Sequence, residues 1–111
     1  MTESTTGSTA IPAEHQAVHY AALAIHHPRP AHREEWIDVM RQVRAAASGV
    51  PGLIEATGYS ETHSGRLVGL SRWESRKALD AVLPAAIERA SECDRLWADR
   101  PTDVLVLELI A

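Results

Sequence analysis

Two histidines, His19 and His26, stand in an otherwise apolar stretch, "AVHYAALAIHH" at 17–27, and Trp73 ends a second one, "RLVGLSRW". A neutral imidazole near pH 7 accepts a proton; an indole N–H only donates. In a strand, side chains alternate between faces. His26 then shares a face with Tyr20, Ala22 and Ala24, while His19 goes with Ala21, Leu23 and Ile25. Trp73 shares its face with Leu67, Gly69 and Ser71. If Ala22, Ala24, Gly69 and Ser71 line the same side, the sheet is hollow there. Interiors are close-packed, so such a space is filled by helices drawn closer or by a ligand. A ligand pocket would be rimmed by Tyr20, His26, Trp73 and Tyr59, with His26 the favoured base and His19 the other candidate. The plain alternatives are hydrogen-bonded strand-end histidines and tyrosines that span the core.

Six histidines in 111 residues also raise a metal site. His26 and His27 are adjacent and point to opposite faces, which keeps them from sharing one ion with His32 of "HHPRPAH". No carboxylate or cysteine completes a ligand set at the usual spacing, so no metal is expected. His15 and His63 read as solvated side chains of a tail and a hairpin loop. The single cysteine, Cys93, falls in a helical pattern with no histidine nearby and reads as a small buried hydrophobe. Arg72 and Glu74 flank Trp73 and are expected to pair with each other on the side away from it. Trp36 and Trp97 lie on helical apolar stripes; both suit a core, and Trp36 could also wall a pocket.

The elements that must position these groups follow from punctuation and period. Residues 1–16, rich in Ser, Thr, Glu and Ala, bury too little to order themselves and are expected to form a loose tail before a domain at 17–111. Trp36, Met40, Val43 and Ala47 recur at helical spacing, with Gly49 and Pro51 to stop the helix. "LIEATGYSE" and "RLVGLSRWE" are strands joined by "THSG", where Gly65 is free to take positive φ. Ser75 caps a helix through Val82; Pro84 is expected to break it and start a second helix to Ala98. "VLVLELI" makes the last strand. The order is β-α-β-β-α-β, the ferredoxin-like split βαβ arrangement, an antiparallel α+β sheet with strands one and three central. Its helices cover one face only, so a homodimer packed sheet against sheet is expected.

The net charge of −4 argues against nucleic acid or an anionic membrane surface as partner. No apolar run is long enough to cross a membrane, and the start "MTESTTGSTAIPAEHQ" lacks a signal-peptide pattern. A single cysteine suggests the reducing cytoplasm.

"PRPAHREEWIDVMRQVRAAASGVPGLIEATGYSE" followed by "RLVGLSRWESRKALDAV" resembles the antibiotic-biosynthesis-monooxygenase-type domains of the dimeric α+β barrel superfamily. The carrying features are the Pro-rich entry to the first helix, "GVPGL" before the second strand and the "WES" strand-to-helix junction. The resemblance implies a homodimer with a pocket in each subunit between sheet and helices. It also implies oxidation of an aromatic or polyketide-like molecule by O₂ with no cofactor. Trp73 matches the family's pocket tryptophan, which implies a catalytic role in which its indole N–H orients a carbonyl or a dioxygen-derived anion. The branch that degrades haem uses an Asn on the first strand and a His in the helix after the Trp. This chain contains no Asn and has Val82 and Leu83 in that region, so haem degradation is not expected. The expected function is a cofactor-independent monooxygenase. A polyketide cyclase or isomerase on the same fold, and a non-catalytic small-molecule-binding or accessory protein, are the alternatives.

Overall fold

The "PRP" segment cannot continue a strand, and it turns the chain through one 3-10 turn, Pro30–His32, into the first helix. The computed structural model describes residues 19–111, so the tail expected at 1–16 lies outside the described residues. The elements are β1 (Tyr20–His26), α1 (Arg33–Ala47), β2 (Leu53–Ser60), β3 (Leu67–Trp73), α2 (Arg76–Trp97) and β4 (Asp103–Glu108). They form one antiparallel sheet in the order β2-β3-β1-β4, so β1 and β3 are central, as the split βαβ order requires.

Helix boundaries follow local chemistry. Glu34 and Glu35 sit in the first turn of α1 and Arg44 in its last, complementing the helix dipole. Gly49 follows the C-cap Ser48 at φ 84°, and Gly65 turns the β2–β3 hairpin at φ 75°. Gly52 is required twice over. Its φ is 83°, and a Cβ there would lie 2.4 Å from that of Ala78, so the loop before β2 packs directly on the start of α2. Glu74 N–H donates to the Gly52 carbonyl at 2.8 Å and fixes that approach. Ser75 caps α2 by accepting from Ala78 N–H at 3.1 Å.

Pro84 does not split the second helix; α2 runs unbroken through it, against the expectation of two helices. A helical proline removes one N–H and crowds the carbonyl four residues earlier. Here both Pro84 and Asp80 are exposed, so water can satisfy that carbonyl. Leu79 and Cys93 are buried on either side of Pro84, and their packing holds both halves to the sheet.

The hydrophobic core gathers at one end. Trp36, Leu67, Cys93 and Ala98 form a buried cluster with Ile37, Val39, Met40 and Trp97 packed on it. Trp73 and Leu79 are buried apart from it; Trp73 is at the other end of β3 from Leu67. Helices α1 and α2 scarcely meet, which leaves Val43 and Ile87 of their apolar stripes about half exposed. Cys93 is a buried free thiol, as its helical surroundings suggested.

Candidate functional site

Register decides whether the two small-residue faces coincide, and they do. Tyr20 pairs with Trp73, Ala22 with Ser71, Ala24 with Gly69, and His26 with Leu67. In β2, Ala56 pairs with Ser71 and Gly58 with Gly69, extending the same bare patch across a third strand. The helices do not close on it. A cavity of about 750 Å³ remains between the sheet and the two helices, with an overwhelmingly apolar wall. Its floor is Ala22, Ala24, Ala56, Gly58, Gly69 and Ser71. Trp36 and His26 border it towards the core cluster, and Trp73 and Leu79 towards the other end. Arg41, Arg44 and Arg89, all exposed, line it on the helix side. Val82 and Leu83 line it from α2.

His26 is the only buried polar or charged residue among the described residues, at 7% exposure. Its ring stacks on Trp36, centroids 4.3 Å apart and planes at 29°. Burial pushes its pKa down from 6.5 to about 4; the charge of Asp94 opposes that shift and His27 adds to it. The imidazole is therefore neutral at pH 7. Nδ1 lies 2.9 Å from Thr102 Oγ1. The Thr102 hydroxyl donates to Asp94 Oδ1 at 2.9 Å, and the Thr102 N–H donates to Asp94 Oδ2 at 2.7 Å. Nε2 is on the other side, 3.9 Å from where a Cβ on Gly69 would stand. Backbone bonds from Arg29 N–H to Trp97 and from Asp99 N–H to His27 tie the α2–β4 loop to the end of β1, bringing Thr102 to His26.

Trp73 is 4% exposed, and its indole N–H donates to Ser71 Oγ at 2.8 Å. That N–H is occupied within the protein. Ser71, having accepted it, keeps its own O–H to offer. Trp36 Nε1 is buried with no hydrogen-bond partner among the described residues. Trp97 meets Trp36 edge-on at 6.4 Å.

Of the residues proposed from sequence, His26, Trp73, Ala22, Ala24, Gly69, Ser71 and Trp36 all border one cavity. Tyr59 borders it beside Gly58, but pairs with Val68, so alternation turns its ring to the opposite face, where it is 55% exposed. Tyr20 and His19 are not brought to the cavity. The Tyr20 hydroxyl meets Glu108 at 3.5 Å with Arg76 over its ring, and His19 precedes β1, its carbonyl bonded to Leu109 N–H. Arg72 pairs across the strands with Glu55 at 2.5 Å and not with Glu74, because the β2 register sets Glu55 opposite it. His27 bonds Asp103 at 2.8 Å, away from His26, and His32 bonds Glu35 at 3.3 Å. Among the described residues no three His, Cys, Asp or Glu side chains cluster as metal ligands do. Among the same residues no helix is long and apolar enough to cross a membrane. Thr102 and Asp94 were missed: "DRPTD" reads as a turn, and nothing local marks a threonine 76 residues away as a histidine's partner.

No family model and no curated protein matches the sequence. Solved structures do. Rv0793 from Mycobacterium tuberculosis superposes with TM-score 0.73 at 23% identity over 84% of this chain and 96% of that one. The ActVA-Orf6 monooxygenase of Streptomyces coelicolor, in complex with Nanaomycin D, superposes with TM-score 0.69 at 20% identity over 85% and 89%. An antibiotic biosynthesis monooxygenase superposes with TM-score 0.68 at 14% identity over 83% and 99%. At these identities the likeness is one of architecture, and the chain has the ferredoxin-like α+β fold of the antibiotic-biosynthesis-monooxygenase-type domains.

Proposed function

We propose that the protein is a cofactor-independent monooxygenase that oxidises a phenolic, aromatic or polyketide-like small molecule with O₂ in the cavity over Ala22, Ala24, Gly69 and Ser71. One observation carries this reading: a buried neutral histidine beside an apolar space of about 750 Å³, a volume that suits a molecule of several fused rings. His26 is the proton acceptor. Ser71, supplied by Trp73, is the donor for a carbonyl or a developing oxyanion. Trp36 and Trp73 shape the two ends. Deprotonation leaves an electron-rich phenolate, which itself reduces oxygen. One oxygen atom becomes a ring carbonyl; the other leaves as water with the hydroxyl hydrogen and the displaced ring hydrogen. Arg41, Arg44 and Arg89 favour a ligand that carries or develops negative charge.

The working unit in this reading is a homodimer of the cytoplasm. The face of the sheet turned from the helices carries Leu23, Leu70 and Leu105 in one register row and Leu107 in the next. Leu105 and Leu107 are 46% and 44% exposed. A second copy laid on that face would bury these rows and close a dimeric α+β barrel.

The test is oxygen uptake by the purified chain with naphthol- and anthrone-type phenols, without added metal, flavin or haem. One O₂ consumed per quinone formed, lost in His26→Ala, is the expected result. Conversion of the substrate with no oxygen uptake would instead assign a cyclase or isomerase, and binding without turnover a carrier.

A further inference from the structure

The proton inventory around His26 is fixed from outside the cavity. Both carboxylate oxygens of Asp94 accept from Thr102, one from its N–H and one from its hydroxyl. A carboxylate can only accept. The single hydroxyl proton of Thr102 is therefore spent on Asp94 Oδ1, and Thr102 Oγ1 meets His26 Nδ1 as an acceptor, at 2.9 Å. Nδ1 must then carry the ring proton. In a neutral imidazole only one nitrogen does, so Nε2 is a bare lone pair. Nε2 is the nitrogen over Gly69, on the cavity side.

We infer that Thr102 and Asp94 are positioning residues that hold His26 in the Nδ1–H tautomer, and that the ligand group docking at Nε2 is consequently a hydrogen-bond donor, a phenolic or enolic hydroxyl. A carbonyl or an already ionised phenolate at that point would face lone pair against lone pair. When the ligand hydroxyl gives up its proton, the O–H bond breaks and a Nε2–H bond forms. The imidazolium charge then faces Asp94 through the Thr102 hydroxyl. The other groups around the ring are compatible with this direction. Trp36 of α1 covers one face, Asp94 comes from α2, and His27, which follows β1, is held by Asp103 of β4.

This inference rests on His26 being the site's base only for its catalytic meaning; the tautomer is measurable without turnover. The experiment is long-range ¹H–¹⁵N correlation of the whole chain, uniformly labelled, at pH 7. Wild type is expected to show His26 protonated on Nδ1 with an unprotonated Nε2. Thr102→Ser is expected to keep that pattern. Thr102→Val and Asp94→Asn are expected to move the population towards Nε2–H. In Asp94→Asn the amide can donate to Thr102 and free its hydroxyl to donate to Nδ1. An Nε2–H form in the wild type overturns the assignment, as does an unchanged tautomer in both Thr102→Val and Asp94→Asn. Titration with 1-naphthol is expected to shift the Nε2 resonance, and 1-methoxynaphthalene, which lacks the donor, to bind at least about tenfold more weakly. Equal binding of the two, or no response of Nε2 to naphthol, overturns the ligand class. If the tautomer behaves as stated but His26→Ala leaves oxygen uptake intact, the relay stands and the monooxygenase role of His26 falls. If uptake is lost while the tautomer is Nε2–H, the reverse holds.

Discussion

The imidazole of His26 lies stacked on the indole of Trp36, ring centroids 4.3 Å apart, at the buried end of the cavity. The contact takes water from one face of the only buried polar or charged residue among the described residues, and it makes stability depend on pH.

In the folded chain His26 titrates near pH 4, against 6.5 for an unperturbed histidine. A folded-state pKa below the unfolded one means the unfolded chain takes up the proton first as pH falls. The contribution is therefore whole above about pH 6.5 and is lost between 6.5 and 4. The loss reaches on the order of 3 kcal/mol at the low end. Urea midpoints measured from pH 7 to pH 4 are expected to fall accordingly, and His26→Phe to flatten the profile in that window. An unchanged slope in the variant would contradict the assignment.

Gly69→Ala tests the cavity floor. Its new Cβ meets nothing closer than His26 Nε2 at 3.9 Å, an ordinary contact, so the fold should tolerate it to within about 1 kcal/mol. The methyl group stands between Nε2 and any ligand. Thermal unfolding near the wild type, together with roughly tenfold or greater loss of naphthol binding, is the expected pair of results.

Gly52→Ala is expected to do the opposite, damaging the fold first. It combines a φ of 83° with a Cβ 2.4 Å from that of Ala78, and neither backbone nor methyl can swing aside. A loss of about 2–4 kcal/mol in chemical denaturation is expected. Gly49→Ala is the control, with a similar φ of 84° but open space around it, and should cost only the backbone part.

Ser71→Ala leaves the Trp73 indole N–H buried without its partner, at a cost of about 1–3 kcal/mol. It also removes the one hydroxyl offered to the ligand near that end of the cavity. Ser71→Thr, keeping the oxygen, should recover the stability. Denaturation midpoints of the pair check the first claim and oxygen uptake the second.

Leu105→Arg places a charge on the bare face of the sheet, in the row of Leu23 and Leu70. Light scattering is expected to show a dimer for the wild type and a monomer for the variant. A wild-type monomer at micromolar concentration would leave the cavity reading intact and remove the barrel.

Strand parity and punctuation in the sequence were enough for the element order, the central place of β1 and β3, and the composition of each face. Period-2 alternation is a local property, so Ala22 with His26 and Gly69 with Trp73 could be grouped before any pairing was known. Ser75, Gly49 and Gly65 act within a turn of their own position and were equally accessible. Pro84 misled because tertiary packing of Leu79 and Cys93 outweighs a local break in an exposed turn. Tyr20 was grouped with the right face yet lies beyond the cavity's edge, since parity fixes a side but not how far along the strand a space extends. The register that joins Ala24 to Gly69, the gap between α1 and α2, and the Asp94–Thr102–His26 chain belong to the tertiary structure alone. Each depends on where residues far apart in sequence come to rest. A hydrogen bond between a β1 histidine and a loop threonine leaves no trace in the neighbours of either.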